Sequence, residues 1–81
     1  MHYVYVLHSP SFNKIYVGET TDYNGRLQAH NHPQSKGWTK KFQPWIIIHV
    51  EEVATRSEAL TREKQLKSFK GREWIRKTLL M

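Results

Sequence analysis

Two stretches with helical spacing carry polar side chains on the face that should turn towards a core. In the first, Arg26 and His30 share a helical face with Leu27. In the second, Glu63 projects about 40° from Ala59, within the apolar stripe of that helix. A carboxylate that faces a core is costly unless it is paired or bound to a metal ion. These positions are therefore candidates for ion pairs or for a reactive site.

Together with Tyr5 and Tyr16, these side chains contain what phosphodiester hydrolysis requires. A carboxylate can hold Mg²⁺ or Mn²⁺, an arginine can neutralise phosphate charge, and a tyrosine or histidine can take the proton of an attacking water. In the structural alternative, Arg26 extends its charge to solvent, His30 is a hydrogen-bonded edge residue, and Glu63 pairs with Arg26 or a lysine. Spacing alone leaves both interpretations open.

The two tyrosines belong to a predicted β-hairpin. Tyr3–Leu7 and Ile15–Val17 are β-branched and aromatic runs, and the segment between them contains Pro, Ser and Asn, as turns do. If the aliphatic residues of both runs share the core, strand alternation puts Tyr5 and Tyr16 together on the opposite face.

The rest of the chain predicts one more strand and three helices. A helix is predicted over 23–31 with Asp22 as N-cap, followed by a loop over 34–43 and a strand over 45–53. A second helix should begin at the Thr55-Arg56-Ser57-Glu58 capping box and end at about Phe69. A final helix should follow a break at Gly71. The order β-β-α-β-α-α predicts a small α/β fold of the α+β type. In it, a three-stranded mixed or antiparallel sheet is flanked by helices.

The chain has 81 residues, a formal net charge of +6 and no cysteine. This length predicts a single domain over 1–81, and the lack of cysteine excludes disulfides and cysteine-based zinc sites. No apolar run reaches the roughly 20 residues needed to cross a bilayer, and the N-terminus lacks a signal-peptide pattern. We therefore expect a cytoplasmic domain without membrane contact whose charge suits a polyanion, most commonly nucleic acid.

Most of the positive charge lies in the last third of the chain. Residues 55–81 contain eight basic and three acidic side chains, a difference of +5. In the predicted loop, Trp38 and Phe42 flank two lysines; such a mix can stack bases and hold phosphates, although the aromatics could equally cover the core. The predicted nucleic-acid-contacting residues are Lys40, Lys41, Lys67, Lys70 and Arg72.

Several of these residues form a pattern that resembles the GIY-YIG nuclease superfamily. The pattern consists of Tyr3-Val4-Tyr5, Tyr16-Val17-Gly18, Arg26, His30-Asn31 and Glu63-Lys64-Gln65-Leu66-Lys67. It covers almost the whole chain in the expected strand–turn–helix order. The chain is most similar to short, single-domain bacterial members related to the N-terminal nuclease domain of the repair enzyme UvrC.

The resemblance implies a metal-dependent endonuclease that hydrolyses duplex or branched DNA, in repair or processing. Glu63 would be the sole protein ligand of one divalent ion, Mg²⁺ or Mn²⁺, with waters completing its shell. Arg26 would contact the scissile phosphate. Tyr5 and Tyr16 would position and deprotonate the attacking water, with support from His30. The resemblance does not say which tyrosine is the base, and it identifies no protein partner.

Three departures from the family pattern bear on activity. Tyr3 replaces the first signature glycine, Glu19 stands where some active relatives carry a lysine, and the C-terminal part has no asparagine. Glu19 puts a negative charge near the expected phosphate site. Because of this substitution, a second possible function is a nucleic-acid-binding module of the same fold with little or no nuclease activity. A basic protein-interaction domain is the third alternative.

Overall fold

A three-stranded antiparallel sheet forms the centre of the computed structural model, which describes residues 1–80. The strands are β1 (His2–Ser9), β2 (Lys14–Thr20) and β3 (Ile46–Val53), in the spatial order β2-β1-β3. Both outer strands pair antiparallel with β1. The predicted α+β class with a small sheet flanked by helices is therefore confirmed, and the sheet is antiparallel rather than mixed.

Within residues 1–80, three α-helices and one short 3₁₀ helix complete the fold. The helices are α1 (Tyr23–Asn31), the 3₁₀ helix Trp38–Phe42, α2 (Arg56–Lys67) and α3 (Phe69–Leu79). The 3₁₀ helix lies within the segment 34–43, for which only a loop was predicted. Within it Thr39 is buried, and the carbonyl of Thr39 accepts a hydrogen bond from the indole N–H of Trp45 at 2.9 Å. No helix among residues 1–80 is both long and apolar enough to cross a membrane.

The two faces of the sheet bury different side chains. One face carries aliphatic residues under α2 and α3, namely Val4, Val6, Ile15 and Val17 packed with Ala59, Leu66 and Ile75. The other face carries Tyr5, Leu7 and Trp45, packed with partly buried residues that include Tyr16 and Leu27. The predicted separation of the aliphatic residues from the two tyrosines is confirmed. Leu27 turns α1 towards the tyrosine-bearing face.

The break between the last two helices lies at Ser68, and its prediction at Gly71 was wrong. The Ser68 hydroxyl donates to the carbonyl oxygen of Gln65 at 2.6 Å and accepts from the Gly71 N–H at 3.2 Å, so Ser68 ends α2 and caps α3. Gly71 lies in the first turn of α3. A Cβ there would overlap the Gln65 carbonyl and lie 2.5 Å from the Cα of Leu66. The glycine is needed because the two helices approach closely, and it does not interrupt α3.

Candidate active site

Tyr5 is the most buried residue of the candidate site, with 1% of its surface exposed. It pairs across the hairpin with Gly18, and a Cβ on Gly18 would come within 2.5 Å of the Tyr5 phenol oxygen. Since glycine has no Cβ, the Tyr5 ring can lie against the backbone of the outer strand β2. The ring centroid of Tyr16, on the same face of β2, is 6.2 Å away. The hairpin register thus brings the two predicted tyrosines together.

His30 connects Tyr5 to the 3₁₀ helix. Its Nε2 lies 3.2 Å from the Tyr5 hydroxyl, and its Nδ1 lies 3.1 Å from the Thr39 hydroxyl. The centroid of its ring is 4.6 Å from that of Tyr16. Burial, and secondarily the charge of Arg26, lower the pKa of His30 from its ordinary value. The imidazole is therefore neutral at pH 7 and has one nitrogen that can accept a proton.

Tyr16, Arg26 and Glu63 all act on the pKa of the Tyr5 phenol. Burial and the neighbouring Tyr16 raise the pKa of Tyr5 to about 12. The Arg26 guanidinium opposes this rise, and the Glu63 carboxylate adds to it. Tyr5 is therefore a protonated phenol at neutral pH. Arg26 and Glu63, from helices on opposite faces of the sheet, both lie close enough for their charges to act on it.

Arg26 approaches the site from the exposed side of α1. It lies one turn before His30, and the helix begins at Asp22, whose carboxylate accepts from the Gly25 N–H at 3.0 Å. This cap fixes the start of α1 and hence the direction of both side chains. Because Arg26 is exposed, its guanidinium is accessible to a phosphate group arriving from solvent.

Glu63 lies on the face of α2 that packs on the sheet, between the buried residues Ala59 and Leu66. Its side chain is 21% exposed, and one carboxylate oxygen is 3.7 Å from the Lys67 ammonium. This contact is the pairing with a lysine that was expected if Glu63 had only a structural role. Lys67 is 53% exposed, so solvent screens the ion pair, and a divalent cation can compete with it.

The surroundings of Glu63 suit a metal ion that keeps most of its water ligands. Within residues 1–80, no three His, Cys, Asp or Glu side chains are grouped closely enough to enclose an ion. Mg²⁺ commonly binds through one or two carboxylates and substrate phosphates and retains several waters. A single, partly exposed carboxylate fits this mode of binding. Glu63 can offer one carboxylate oxygen to such an ion.

Glu19, the departure from the family pattern, faces the start of α2. Its register partner is Val4, so it lies on the sheet face opposite to Tyr16. Its carboxylate is 3.9 Å from the guanidinium of Arg56, and its side chain is 18% exposed. The negative charge at this position is thus partly balanced by a nearby arginine.

Two of the predicted nucleic-acid-contacting residues lie beside the site. Lys67 and Arg72 line a cavity of about 300 Å³ together with Tyr16 and the flanking residues of β2. Lys70 is exposed on α3, in the same turn as Arg72. A negatively charged backbone lying in this cavity would contact the tyrosine and both cations. The predicted basic rim on α2 and α3 is therefore adjacent to the candidate chemistry.

The two lysines of the 3₁₀ helix differ from each other. The Lys40 ammonium donates a hydrogen bond to the carbonyl oxygen of Pro33 and so holds the segment that follows α1. Lys41 is exposed. Of this pair, Lys41 is the residue that can meet a ligand without breaking an internal contact.

Three positioning residues were not predicted from the sequence. Trp45 donates its backbone N–H to the Asn31 side-chain oxygen at 2.6 Å, and its own carbonyl accepts from the Asn31 amide at 2.9 Å. Thr39 holds His30 as described above. Asn31 follows His30 within the family-like pattern, and its place there could have indicated a positioning role. Thr39 and Trp45 carried no such signal, because their positions depend on how the segment after α1 folds back.

Residues 1–77 match the family model of the GIY-YIG catalytic domain. The chain is 31% identical over 75 residues to a UPF0213 protein of Staphylococcus haemolyticus, with 93% of this chain and 90% of that protein covered. A UPF0213 protein of Haloquadratum walsbyi is 38% identical over 68 residues, with 84% and 75% covered. No solved structure matches the chain. Because the family match spans the sheet, the candidate site and most of α3, the chain belongs to the GIY-YIG catalytic-domain family.

Proposed function

We propose that this protein is a divalent-metal-dependent endonuclease that hydrolyses phosphodiester bonds in DNA. Its membership of a nuclease superfamily supports an endonuclease in general terms. The observation that carries the specific proposal is the Tyr5–His30–Thr39 hydrogen-bonded chain, which lies within electrostatic reach of Arg26 and Glu63. These groups come from four separate elements of the fold, namely β1, α1, the 3₁₀ helix and α2.

The hydrogen-bonded chain offers a path for the proton of an attacking water. With Nδ1–H of His30 donating to Thr39, Nε2 is left as the acceptor for the Tyr5 hydroxyl. The water then gives its proton to Tyr5 while Tyr5 passes its own proton to His30. Tyr5 is a proton carrier in this scheme, since its high pKa keeps the phenol neutral.

The half-buried Tyr16 lies beside this path and lines the cavity at β2, so we assign it the orientation of the water. The water oxygen forms its bond to phosphorus as the bond from phosphorus to the leaving ester oxygen breaks. The leaving oxygen takes a proton from solvent. Arg26 stabilises the negative charge that builds up on the phosphate. Bound at Glu63, Mg²⁺ or Mn²⁺ would supply further Lewis-acid stabilisation of that charge.

The substrate backbone would lie across the basic surface next to Tyr16. Lys67 and Arg72 line the cavity there, and Lys70 is exposed in the same turn as Arg72. Lys41 is exposed on the 3₁₀ helix and can contribute positive charge from there. Lysine and arginine contacts to phosphates hold DNA without reading its sequence. A role in DNA repair or processing, in the cytoplasm, is consistent with a nuclease of this kind.

Cleavage assays with plain, nicked and branched duplex DNA test the proposal. We expect product in Mg²⁺ or Mn²⁺, none in chelator, and recovery of activity when metal is added back. Equal cleavage in chelator would contradict the metal requirement. Salt-sensitive DNA binding without any product on the whole panel would favour the inactive binding module. If the protein does not bind DNA even at low salt, the remaining alternative is a basic protein-interaction domain.

A further inference from the structure

A row of aromatic rings extends from the candidate site to the surface. Starting at Tyr16, the ring centroid of Trp45 is 6.4 Å away, that of Trp38 lies 5.7 Å from Trp45, and that of Phe42 lies 4.8 Å from Trp38. Phe12, in the β1–β2 turn, continues the row at 5.5 Å from Phe42. We call Trp38, Phe42 and Phe12 the aromatic strip. It joins the 3₁₀ helix to the hairpin turn.

The outer rings of the aromatic strip are open to solvent. Trp38 is 45% exposed and Phe12 is 49% exposed, whereas Trp45 beneath them is 2% exposed. Single exposed apolar residues are common and need no explanation. Two large rings in one contiguous strip that leads into a candidate active site are a more specific observation, and such patches mark binding surfaces.

Positive charge accompanies the strip. The Lys14 ammonium lies 5.5 Å from the centroid of the Phe42 ring, and Lys41 is exposed in the same 3₁₀ helix. Aromatic faces beside cations are how proteins hold single-stranded nucleic acid, because bases stack on the rings while phosphates meet the charges. In an intact duplex the base faces are stacked on one another, so a protein ring can meet them only by unstacking the bases.

The other side of the site has a different character. Lys67 and Arg72 line the cavity at β2, where the lining residues are aliphatic or basic apart from Tyr16. Phe69 is 82% exposed on α3, but no ring among residues 1–80 stacks on it. The cavity at β2 can hold a phosphate backbone. The aromatic pair of Trp74 on α3 and His49 on β3, with ring centroids 5.5 Å apart, does not line it.

Resting on the proposed function, we infer that the aromatic strip binds unpaired nucleotides of the strand that is cut, while the basic surface of α2 and α3 holds duplex backbone. The preferred substrate is then DNA in which a single-stranded segment adjoins a duplex. The aromatic strip would thus determine which DNA structure the proposed nuclease prefers.

The test measures DNA binding by the full chain carrying Glu63→Gln, so that cleavage does not interfere. The probes are a fluorescent single strand, a duplex of the same length, and a duplex with a single-stranded overhang. Phe12→Ala and Trp38→Ala should each weaken binding of the single strand and the overhang by about tenfold, with duplex binding changed less than about twofold. Phe69→Ala is the matched control, since it removes an exposed ring outside the strip.

A photo-crosslink gives a second readout without any substitution in the strip. A single strand that contains iodouracil should attach to residues of the aromatic strip rather than to Phe69. Unchanged single-strand affinity in both strip variants, or equal losses for single strand and duplex, would overturn the inference. Tight duplex binding with those results would leave the proposed function standing. If the chain binds none of the probes, the proposed function fails with the inference.

Discussion

At Tyr5 and His30, burial moves two proton affinities in opposite directions. The pKa of the phenol is raised and the pKa of the imidazole is lowered, so both groups are neutral at pH 7. Their 3.2 Å contact is thus a hydrogen bond between neutral partners. A donor and an acceptor that are both uncharged can exchange a proton without first breaking an ion pair.

Arg26→Gln tests the electrostatic part of this arrangement. The positive charge of Arg26 disfavours the imidazolium, so its removal should raise the pKa of His30. The rise should be partial, because burial is the larger cause and remains. NMR titration of the His30 ring should give a midpoint below 6.5 in the unchanged protein and a higher midpoint in the variant.

Arg56→Gln serves as the charge-matched control for that titration. Arg56 pairs with Glu19 on the other face of the sheet, so its removal should leave the His30 midpoint in place. If Arg26→Gln does not move the midpoint, or if both variants move it equally, Arg26 does not act on His30 as described.

At the scale of elements, the junction of α2 and α3 determines where Lys67 and Arg72 lie. Alanine is ordinarily favoured over glycine within a helix by about 1 kcal/mol. At Gly71 the sign should reverse, because a Cβ would overlap the backbone of α2. We expect Gly71→Ala to lower the free energy of unfolding by about 2 kcal/mol or more.

Urea unfolding measures this effect against two neighbours. Ser68→Ala removes the cap shared by the two helices and should cost about 1 kcal/mol. Lys70→Ala, an exposed change in the same turn, should have little effect. A Gly71→Ala protein as stable as the parent would show that the helices are not in such close contact.

The elements themselves were largely predictable from sequence. Strand alternation placed the tyrosines, and Asp22 and Thr55 marked the starts of α1 and α2, because caps and alternation are local signals. Gly71 misled the prediction since a glycine that permits a close approach looks the same as one that ends a helix. Only the packing of α3 on α2 shows which of these two roles a glycine has.

The sequence singled out the residues of the candidate site but not the contacts that connect them. The polar positions Arg26, His30 and Glu63 stood out because each interrupts an apolar stripe. The Thr39 contact and the aromatic strip depend on the path of the chain after α1, over a segment without periodicity. These contacts follow only from the folded path of that segment.

For the whole molecule, the net charge of +6 is unevenly distributed and should appear in the salt dependence of DNA binding. Lys67→Ala with Arg72→Ala removes two cations from the cavity beside Tyr16. We expect weaker binding to all DNA sequences and a slope of log affinity against log salt that is smaller by about two. Anisotropy titrations over a salt series measure both quantities.

The matched control removes two exposed lysines that do not line that cavity, Lys36 and Lys64. Its slope should change by clearly less than that of the cavity double variant. Equal slopes for both double variants would mean that bulk charge, rather than the cavity beside Tyr16, accounts for binding.

We propose that Glu63, as the metal ligand, makes this fold a metal-dependent nuclease. The most direct measurement is the single-turnover cleavage rate in Mg²⁺ of the parent protein, Glu63→Gln and the control Glu73→Gln, whose carboxylate is exposed on α3. We predict a loss of at least about a hundredfold for Glu63→Gln and a change within about twofold for Glu73→Gln, with unchanged thermal unfolding. Cleavage by Glu63→Gln at the parent rate would contradict the assignment of Glu63 as the metal ligand.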